Sequence, residues 1–282
     1  MTDARTICEA LGGRWCGSYG MARCPCHEDR TPSLSISDGQ GDTLLVKCFA
    51  GCDPVDILRV LRERGLLESS GGDPSPRRHH RDNGRAARDI WHESLPAAGT
   101  LVERYLRRRG ITLPVPPSIR FHPGLKHGPT GLILPAMVSA VQAPDRQICA
   151  IHRTFLTEYG TKTTASTPKM ALGPLGAGAV RLAKAGRVLG LAEGIEDALA
   201  VMQLCELPCW ASLGGARLAR VDLPVEVREV HIFADGDEPG REAAEKAVRR
   251  FRREGLKARA FLPPGGAKDM NEALIAEGRA CA

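Results

Sequence analysis

The chain has 282 residues, 43% of them hydrophobic, which is enough apolar side chain for one large or two modest cores and excludes a wholly disordered protein. Aromatic residues make up only 4%, against 31 glycines and 20 prolines, so the core is expected to be built from Leu, Val and Ala between many turns. A formal net charge of +6 suits a polyanionic partner such as nucleic acid. The first fourteen residues lack an apolar secretion segment and no run of about 18 apolar residues occurs, so a cytoplasmic protein with no membrane association is expected.

A first unit is expected over residues 1–67. It opens with a short helix carrying Ile7 and Leu11 and closes with a helix around Pro54 to Arg64, on which Val55, Leu58 and Leu61 are placed on one face. Residues 68–89, rich in Ser, Gly, Pro and Arg, read as a flexible basic linker containing Arg77, Arg78, His79, His80 and Arg81. A third segment, 90–185, is expected to start helical from Ile90 to Arg109, break at the proline-rich stretch Leu113 to Ser118, and continue as strands at 131–141 and 147–155. A loop follows at 159–169. From residue 186 to 282 short apolar strands at 188–192, 209–211, 230–234 and 258–262 alternate with helices at 195–204 and 239–254. Such alternation predicts a parallel sheet with crossover helices.

Six of the ten cysteines fall within the first 52 residues, beside a histidine; in a reducing compartment that concentration favours metal over disulfides. Cys24-Pro-Cys-His27 and Cys48-Phe-Ala-Gly-Cys52 form two short-spaced donor pairs, an arrangement that can close a tetrahedron around zinc and stabilise a unit too small for a large core. Spacing alone leaves Cys26 and His27 as alternatives. The run Cys-Pro-Cys-His-Glu-Asp-Arg-Thr-Pro-Ser at 24–33, with Lys-Cys-Phe-Ala-Gly-Cys at 47–52, resembles the zinc ribbon of bacterial and phage DNA primases. That resemblance implies Cys24, His27, Cys48 and Cys52 as ligands of a structural zinc; it also offers Arg30 and Lys47 as template-phosphate contacts, though solvated surface charges are the preferred reading of both. The second pair is spaced by three residues where cellular primases use two, a feature of phage and mobile-element relatives.

Glu193, Asp235 and Asp237 fall at the carboxyl ends of predicted strands, where an open parallel sheet gathers its ligands, and crowded carboxylates are relieved by a hard divalent cation. Ala-Glu-Gly-Ile-Glu-Asp-Ala-Leu at 192–199 and Phe-Ala-Asp-Gly-Asp-Glu-Pro-Gly at 233–240 resemble the two signature motifs of the Toprim fold. Lys-Asp-Met-Asn-Glu-Ala-Leu at 268–274 resembles a further element of Toprim primases, with Asn271 where an aspartate is frequent. The expected fold is therefore α/β: an N-terminal zinc ribbon, a helical linker region and a Toprim-type core with a parallel sheet flanked by helices.

The resemblance implies a DNA primase that makes short RNA primers on single-stranded DNA by nucleotidyl transfer. Its expected catalytic residues are Glu193, Asp235, Asp237 and Asp269, with Mg2+ or Mn2+ on Glu193, Asp235 and Asp237. Arg153, Lys169 and Lys268 are expected to face nucleotide or template phosphates. Arg241, Lys246, Arg249, Arg250, Arg252 and Arg253 fit a solvated basic face, and His231 an ordinary strand position. The expected partners are single-stranded DNA, nucleoside triphosphates and a separately encoded replicative helicase, since no phosphate-binding G-x-x-x-x-G-K-[ST] loop is present. A Toprim nuclease and a non-catalytic single-strand-binding module are the alternatives.

Overall fold

The computed structural model of the protein describes residues 3–17, 19–29, 31–39, 44–67 and 83–280, and the chain divides into two compact units, 1–76 and 77–282. In the first, helix α1 (Ala4–Ala10) precedes strands β1 (Arg14–Cys16), β2 (Tyr19–Ala22), β3 (Leu34–Asp38) and β4 (Leu44–Cys48), which form an antiparallel sheet in sequence order; helix α2 (Pro54–Glu63) follows. Both helices start on an aspartate cap: Thr6 N–H donates to Asp3 Oδ1 at 2.7 Å and Val55 N–H to Asp53 Oδ1 at 2.8 Å. Ile7, Leu34, Ile36, Ile57 and Leu61 are fully buried together. Val55, expected on the inward face of α2, is 63% exposed, and Ile57 takes its place in the core. The helix period runs from Ile57 to Leu61, four residues apart, and leaves Val55 on the outer side.

The second unit opens with helix α3 (Asn83–Glu93), so the helical part of the middle segment begins seven residues before Ile90, inside the stretch read as linker; residues 68–82 lie outside the described residues. The expected single helical run to Arg109 is two helices, α3 and α4 (Leu101–Arg108), separated by the short strand β5 (Leu95–Pro96). Pro96 is compatible with an edge strand and incompatible with a helix interior, which is the physical reason for the break.

Next come β6 (Ile119–Lys126), β7 (Ile133–Gln142), β8 (Ile148–Phe155), β9 (Lys169–Leu172) and β10 (Ala179–Arg181). The parallel half comprises β11 (Val188–Ala192), α5 (Ile195–Cys205), β12 (Cys209–Ala211), α6 (Gly215–Leu218), β13 (Glu229–Phe233), α7 (Glu238–Arg253), β14 (Lys257–Phe261) and α8 (Met270–Ala280).

All ten strands belong to one sheet, ordered β14-β13-β11-β12-β10-β7-β6-β5, with β8 and β9 joined through β7. Strands β11 to β14 pair in parallel as expected, and the sheet then continues past them, because β10 pairs antiparallel with both β12 and β7. Of the five antiparallel strands β6 to β10, the sequence suggested only β7 and β8. Leu189, Leu191, Val230 and Ile232 pack on one face of the parallel half against Ala244, Ala247 and Phe251 of α7, while Ile195, Ala198 and Leu199 of α5 cover the other. Burial on both faces explains the near-continuous apolar strands that made this half readable. Among the described residues no helix is long and apolar enough to cross a membrane.

Candidate functional site

In the first unit, Cys24, His27, Cys48 and Cys52 bring their ligand atoms within 4.8 Å of one another. Cys24 lies just beyond β2, Cys48 ends β4, and the strand register places Leu34 of β3 between Ala22 and Cys48, so the sheet itself sets the separation of the two donor pairs. His27 turns Nδ1 to within 3.2 Å of Cys52 Sγ and leaves Nε2 3.7 Å from Asp29 Oδ1. Asp29 also accepts from Cys24 N–H at 2.7 Å and from Ser33 Oγ–H at 2.6 Å, while Ser33 Oγ lies 3.6 Å from Cys48 Sγ. Burial of Asp29 opposes its ionisation, yet the hydrogen bonds from Ser33 and Cys24 and the nearby His27 outweigh it and hold the carboxyl below its usual range.

A carboxylate behind a histidine ligand fixes the ring's tautomer and orientation, and here it also braces a thiolate loop. Burial opposes ionisation of the Cys48 thiol, but hydrogen bonds from the Cys52 backbone, Ser33 and the Ala50 backbone prevail and bring it down to about 7. Three sulfurs and one ring nitrogen with a braced outer contact fit a closed zinc site. The cluster takes His27, and Cys26 stands outside it.

In the second unit, Glu193 follows β11 directly, and Asp235 and Asp237 follow β13, its parallel neighbour. The three line one cavity of about 670 Å3 together with Gly215, Lys246 and Arg249. Asp235 N–H donates to Glu193 Oε1 at 3.3 Å. A turn after β12 wraps over Glu193: Leu213 and Gly214 N–H both donate to its carbonyl, at 3.0 and 3.1 Å. Gly214 sits at φ +123°, open to glycine, and a Cβ on Gly215 would come 2.9 Å from Glu193 Oε2, so only glycine leaves that carboxylate its place. Burial first, then Asp235, raises the Glu193 carboxyl; burial first, then Asp269 and Asp237, raises Asp235. Partly buried acids that repel one another and have oxygens to spare fit a hard divalent cation.

The remaining predicted residues take different places. Asp269 Oδ1 accepts from Glu272 N–H at 2.7 Å and so caps α8, while its charge still raises Asp235 and Asp197. Asn271 is fully buried, donates Nδ2–H to Arg109 O at 2.8 Å and gives its N–H to Asp197; it takes no part in the cavity. Lys268 is exposed, and its charge lowers the Asp235 carboxyl. Arg153 lies on β8, donates Nη2–H to Ala171 O at 3.2 Å, and places Cζ 5.7 Å from the centre of the Phe155 ring. Lys169 opens β9, and its Nζ is 2.9 Å from Glu196 Oε2, whose other oxygen accepts from Tyr105 Oη at 2.6 Å. Lys169 is thus ion-paired with the buried Glu196 carboxylate, while its own side chain stays 39% exposed. His231 pairs with Glu229 at 2.9 Å, as an ordinary strand residue. Arg250 and Arg252 donate to backbone carbonyls at 219, 221 and 258, Arg249 pairs with Glu245, and Lys246 and Arg249 also reach the acid cavity. Lys47 places Nζ 5.2 Å from the centre of the Phe49 ring; Arg30 lies outside the described residues.

Sequence reasoning missed Asp197. It lies in the first turn of α5, accepts from Asn271 N–H at 3.1 Å, and is raised to about 7 by burial, then by Asp269 and Glu196. Its position four residues after Glu193, across a strand-to-helix turn, was the available signal.

Residues 81–182 match a family described as a domain of unknown function (DUF7146), and residues 188–280 match a family described as Toprim domain. No curated protein matches the chain. Among solved structures the chain is similar to the Aquifex aeolicus primase (zinc binding and RNA polymerase domains), with 16% identity and a TM-score of 0.45 over 99% of this chain and 81% of that one. It is also similar to a DNA primase domain from Pseudomonas aeruginosa, with 17% identity and a TM-score of 0.47 over 70% and 77%. For the primase fragment of the bacteriophage T7 primase-helicase the identity is 17% and the TM-score 0.42, over 92% and 96%. With Glu193, Asp235 and Asp237 gathered at the carboxyl ends of adjacent parallel strands, the segment 188–280 of this chain is a Toprim domain.

Proposed function

We propose that the chain is a DNA primase that synthesises short RNA primers on single-stranded DNA by metal-dependent nucleotidyl transfer. The observation that carries this reading is the presence on one chain of a Cys3His cluster and a cavity lined by Glu193, Asp235 and Asp237. In this reading those carboxylates hold Mg2+ or Mn2+. The bound cations supply charge neutralisation at the triphosphate and a lowered pKa for the attacking 3′-hydroxyl.

The rest of the work falls to the chain. Gly215 leaves room for the Glu193 carboxylate, and Lys268 offsets the charge of Asp235. Lys169 acts by neutralising Glu196 at the edge of the rim, and Asp269 by fixing the start of α8 and adding negative charge. Arg153, with one guanidinium hydrogen bond to the backbone, keeps donors for a template phosphate. In the first unit, Phe49 and Tyr19 are 62% and 43% exposed and Lys47 lies over the Phe49 ring, a combination suited to stacking and neutralising a single strand. A separately encoded replicative helicase completes the proposed set of partners.

Incorporation of labelled nucleoside triphosphates on single-stranded circles tests the reading. Short products are expected from the wild-type chain with Mg2+ or Mn2+, and none from Asp235→Asn or Asp237→Asn. Cleavage without incorporation would replace the proposal with a nuclease, and strand binding with neither product would replace it with a non-catalytic module.

A further inference from the structure

The sheet has a second cavity, of about 510 Å3, on the edge opposite the carboxylates. Ala183, Lys184 and Ala185 line it between β10 and β11, and Pro224 and Glu226 line it ahead of β13, so it opens at the amino ends of the strands whose carboxyl ends carry Glu193 and Asp235. A five-residue strand, roughly 16 Å, separates the two sites.

Three cations, Arg146, Arg181 and Lys184, share this cavity with a single carboxylate, Glu226. Among the described residues none of the three is ion-paired. Arg181 places Cζ 4.5 Å from the centre of the buried Trp210 ring and is pinned by an Nη2–H bond to Ala143 O at 2.8 Å. Burial, then the neighbouring Arg146, disfavours its positive charge, and Asp145 and Glu226 offset that only in part. Trp91, Pro117, Ile148 and Leu182 supply an apolar wall.

Arg146 is held at a position that penalises it. It has φ 71° in the turn between β7 and β8, where its N–H donates to Ala143 O and Ala143 N–H donates to Gln147 O, both at 2.9 Å. Glycine or asparagine would occupy that left-handed position with less strain than arginine.

We infer that this cavity binds a nucleotide unit, with the phosphate on Arg146, Arg181 and Lys184 and the base against the apolar wall. Three cations without an ion-pair partner beside one lining carboxylate call for an anion, and the apolar wall for a ligand that also carries a hydrophobic part, as a base does. The volume lies within the range of small-ligand sites. A free mononucleotide and one nucleotide of a passing single strand offer the same chemistry. The inference is independent of the carboxylate rim and of the primase reading.

Intrinsic fluorescence of the full chain in EDTA, with Trp15→Phe to silence the tryptophan of the first unit, gives a direct test, because the remaining indoles, Trp91 and Trp210, both line the cavity. Titration with adenosine monophosphate and with a short oligothymidylate should give a saturable change. Equal affinity for both assigns a free nucleotide, and a response to the oligomer alone, weakening with salt, assigns a strand. Arg146→Glu with Lys184→Glu should weaken binding at least about tenfold, since each cation is expected to make a charge-assisted contact. Arg146→Gly should melt at a higher temperature and still bind more weakly, which separates the ligand contact from folding. Asp235→Asn should leave the titration unchanged. Absence of a saturable response to either ligand at millimolar concentration, or affinity unaffected by both Arg146→Gly and the charge reversal, would overturn the inference.

Discussion

Replacing Lys169 by Met removes the only cation within 4 Å of the Glu196 carboxylate among the described residues, and the structure sets the size of the effect. The Glu196 side chain is 3% exposed; Tyr105 Oη still donates to it at 2.6 Å after the change, but a hydroxyl cannot balance a buried charge. Breaking one partner of a buried pair costs about 3–5 kcal/mol. Because the Lys169 side chain is 39% exposed and screened by solvent, the lower end, about 3 kcal/mol at pH 7, is expected.

The pH dependence follows from the shift. Burial opposes ionisation of Glu196, yet Lys169 and Tyr105 bring its carboxyl to about 2, below an unfolded value of about 4.3, so its contribution is complete above the unfolded pKa and lost as pH falls towards 2. Without Lys169 burial dominates and raises that carboxyl, so the deficit of the variant should be greatest at neutral pH and shrink on acidification. Urea denaturation of wild type, Lys169→Met and Lys169→Met with Glu196→Gln at pH 7 and pH 5 measures this. The double variant buries no charge, keeps an acceptor for Tyr105, and should recover all but about 1 kcal/mol. A double variant as unstable as Lys169→Met, or a single variant within about 0.5 kcal/mol of wild type at pH 7, would refute the reasoning.

Metal removal should act locally: chelation is expected to expose residues 3–67 to protease while the second unit keeps its thermal transition. One equivalent of zinc should survive Cys26→Ser and be lost in Cys48→Ser or His27→Ala, as read by metal content after dialysis. Gly215→Ala should displace the Glu193 carboxylate with which its Cβ would collide at 2.9 Å; Mn2+ affinity measured by paramagnetic relaxation is expected to fall several-fold, and unchanged affinity would separate Glu193 from the cation site.

How legible each part was depended on how its residues are constrained. The zinc donors were readable because two short-spaced pairs must converge, and the choice of His27 over Cys26 came from the family pattern; in this chain Asp29 stands behind the His27 ring. The parallel strands were readable because burial on both faces makes them continuously apolar. Strands β6, β9 and β10 were not. β10 is three residues long, β9 begins with the charged Lys169, and β6 contains Pro123 and Gly124 at a shift in its register with β7, so each lacks the alternation that marks a strand. Glu196 and Tyr105, 91 positions apart, meet only through the tertiary fold, and no local pattern foretells that contact.

The acidic rim gathers more negative charge than three side chains would suggest, and the helices explain how the fold tolerates it. Helices α5, α7 and α8 begin here: Glu196 and Asp197 stand in the first turn of α5, Asp237 caps α7 by accepting from Gly240 N–H at 2.9 Å, and Asp269 caps α8. The positive end of a helix dipole favours a carboxylate by about 0.3–1 kcal/mol, and a cap engages one oxygen while leaving the other available. Asp237 is therefore both a structural cap through Oδ1 and, in the proposed reading, a cation ligand. The two roles separate by substitution. Asparagine caps as well as aspartate, so Asp237→Asn should lose incorporation while keeping the wild-type melting temperature, whereas Asp237→Ala should lose incorporation equally and about 1 kcal/mol of stability besides. If asparagine restored activity, the charge of Asp237 would have no part in the chemistry and the cap would be its whole function.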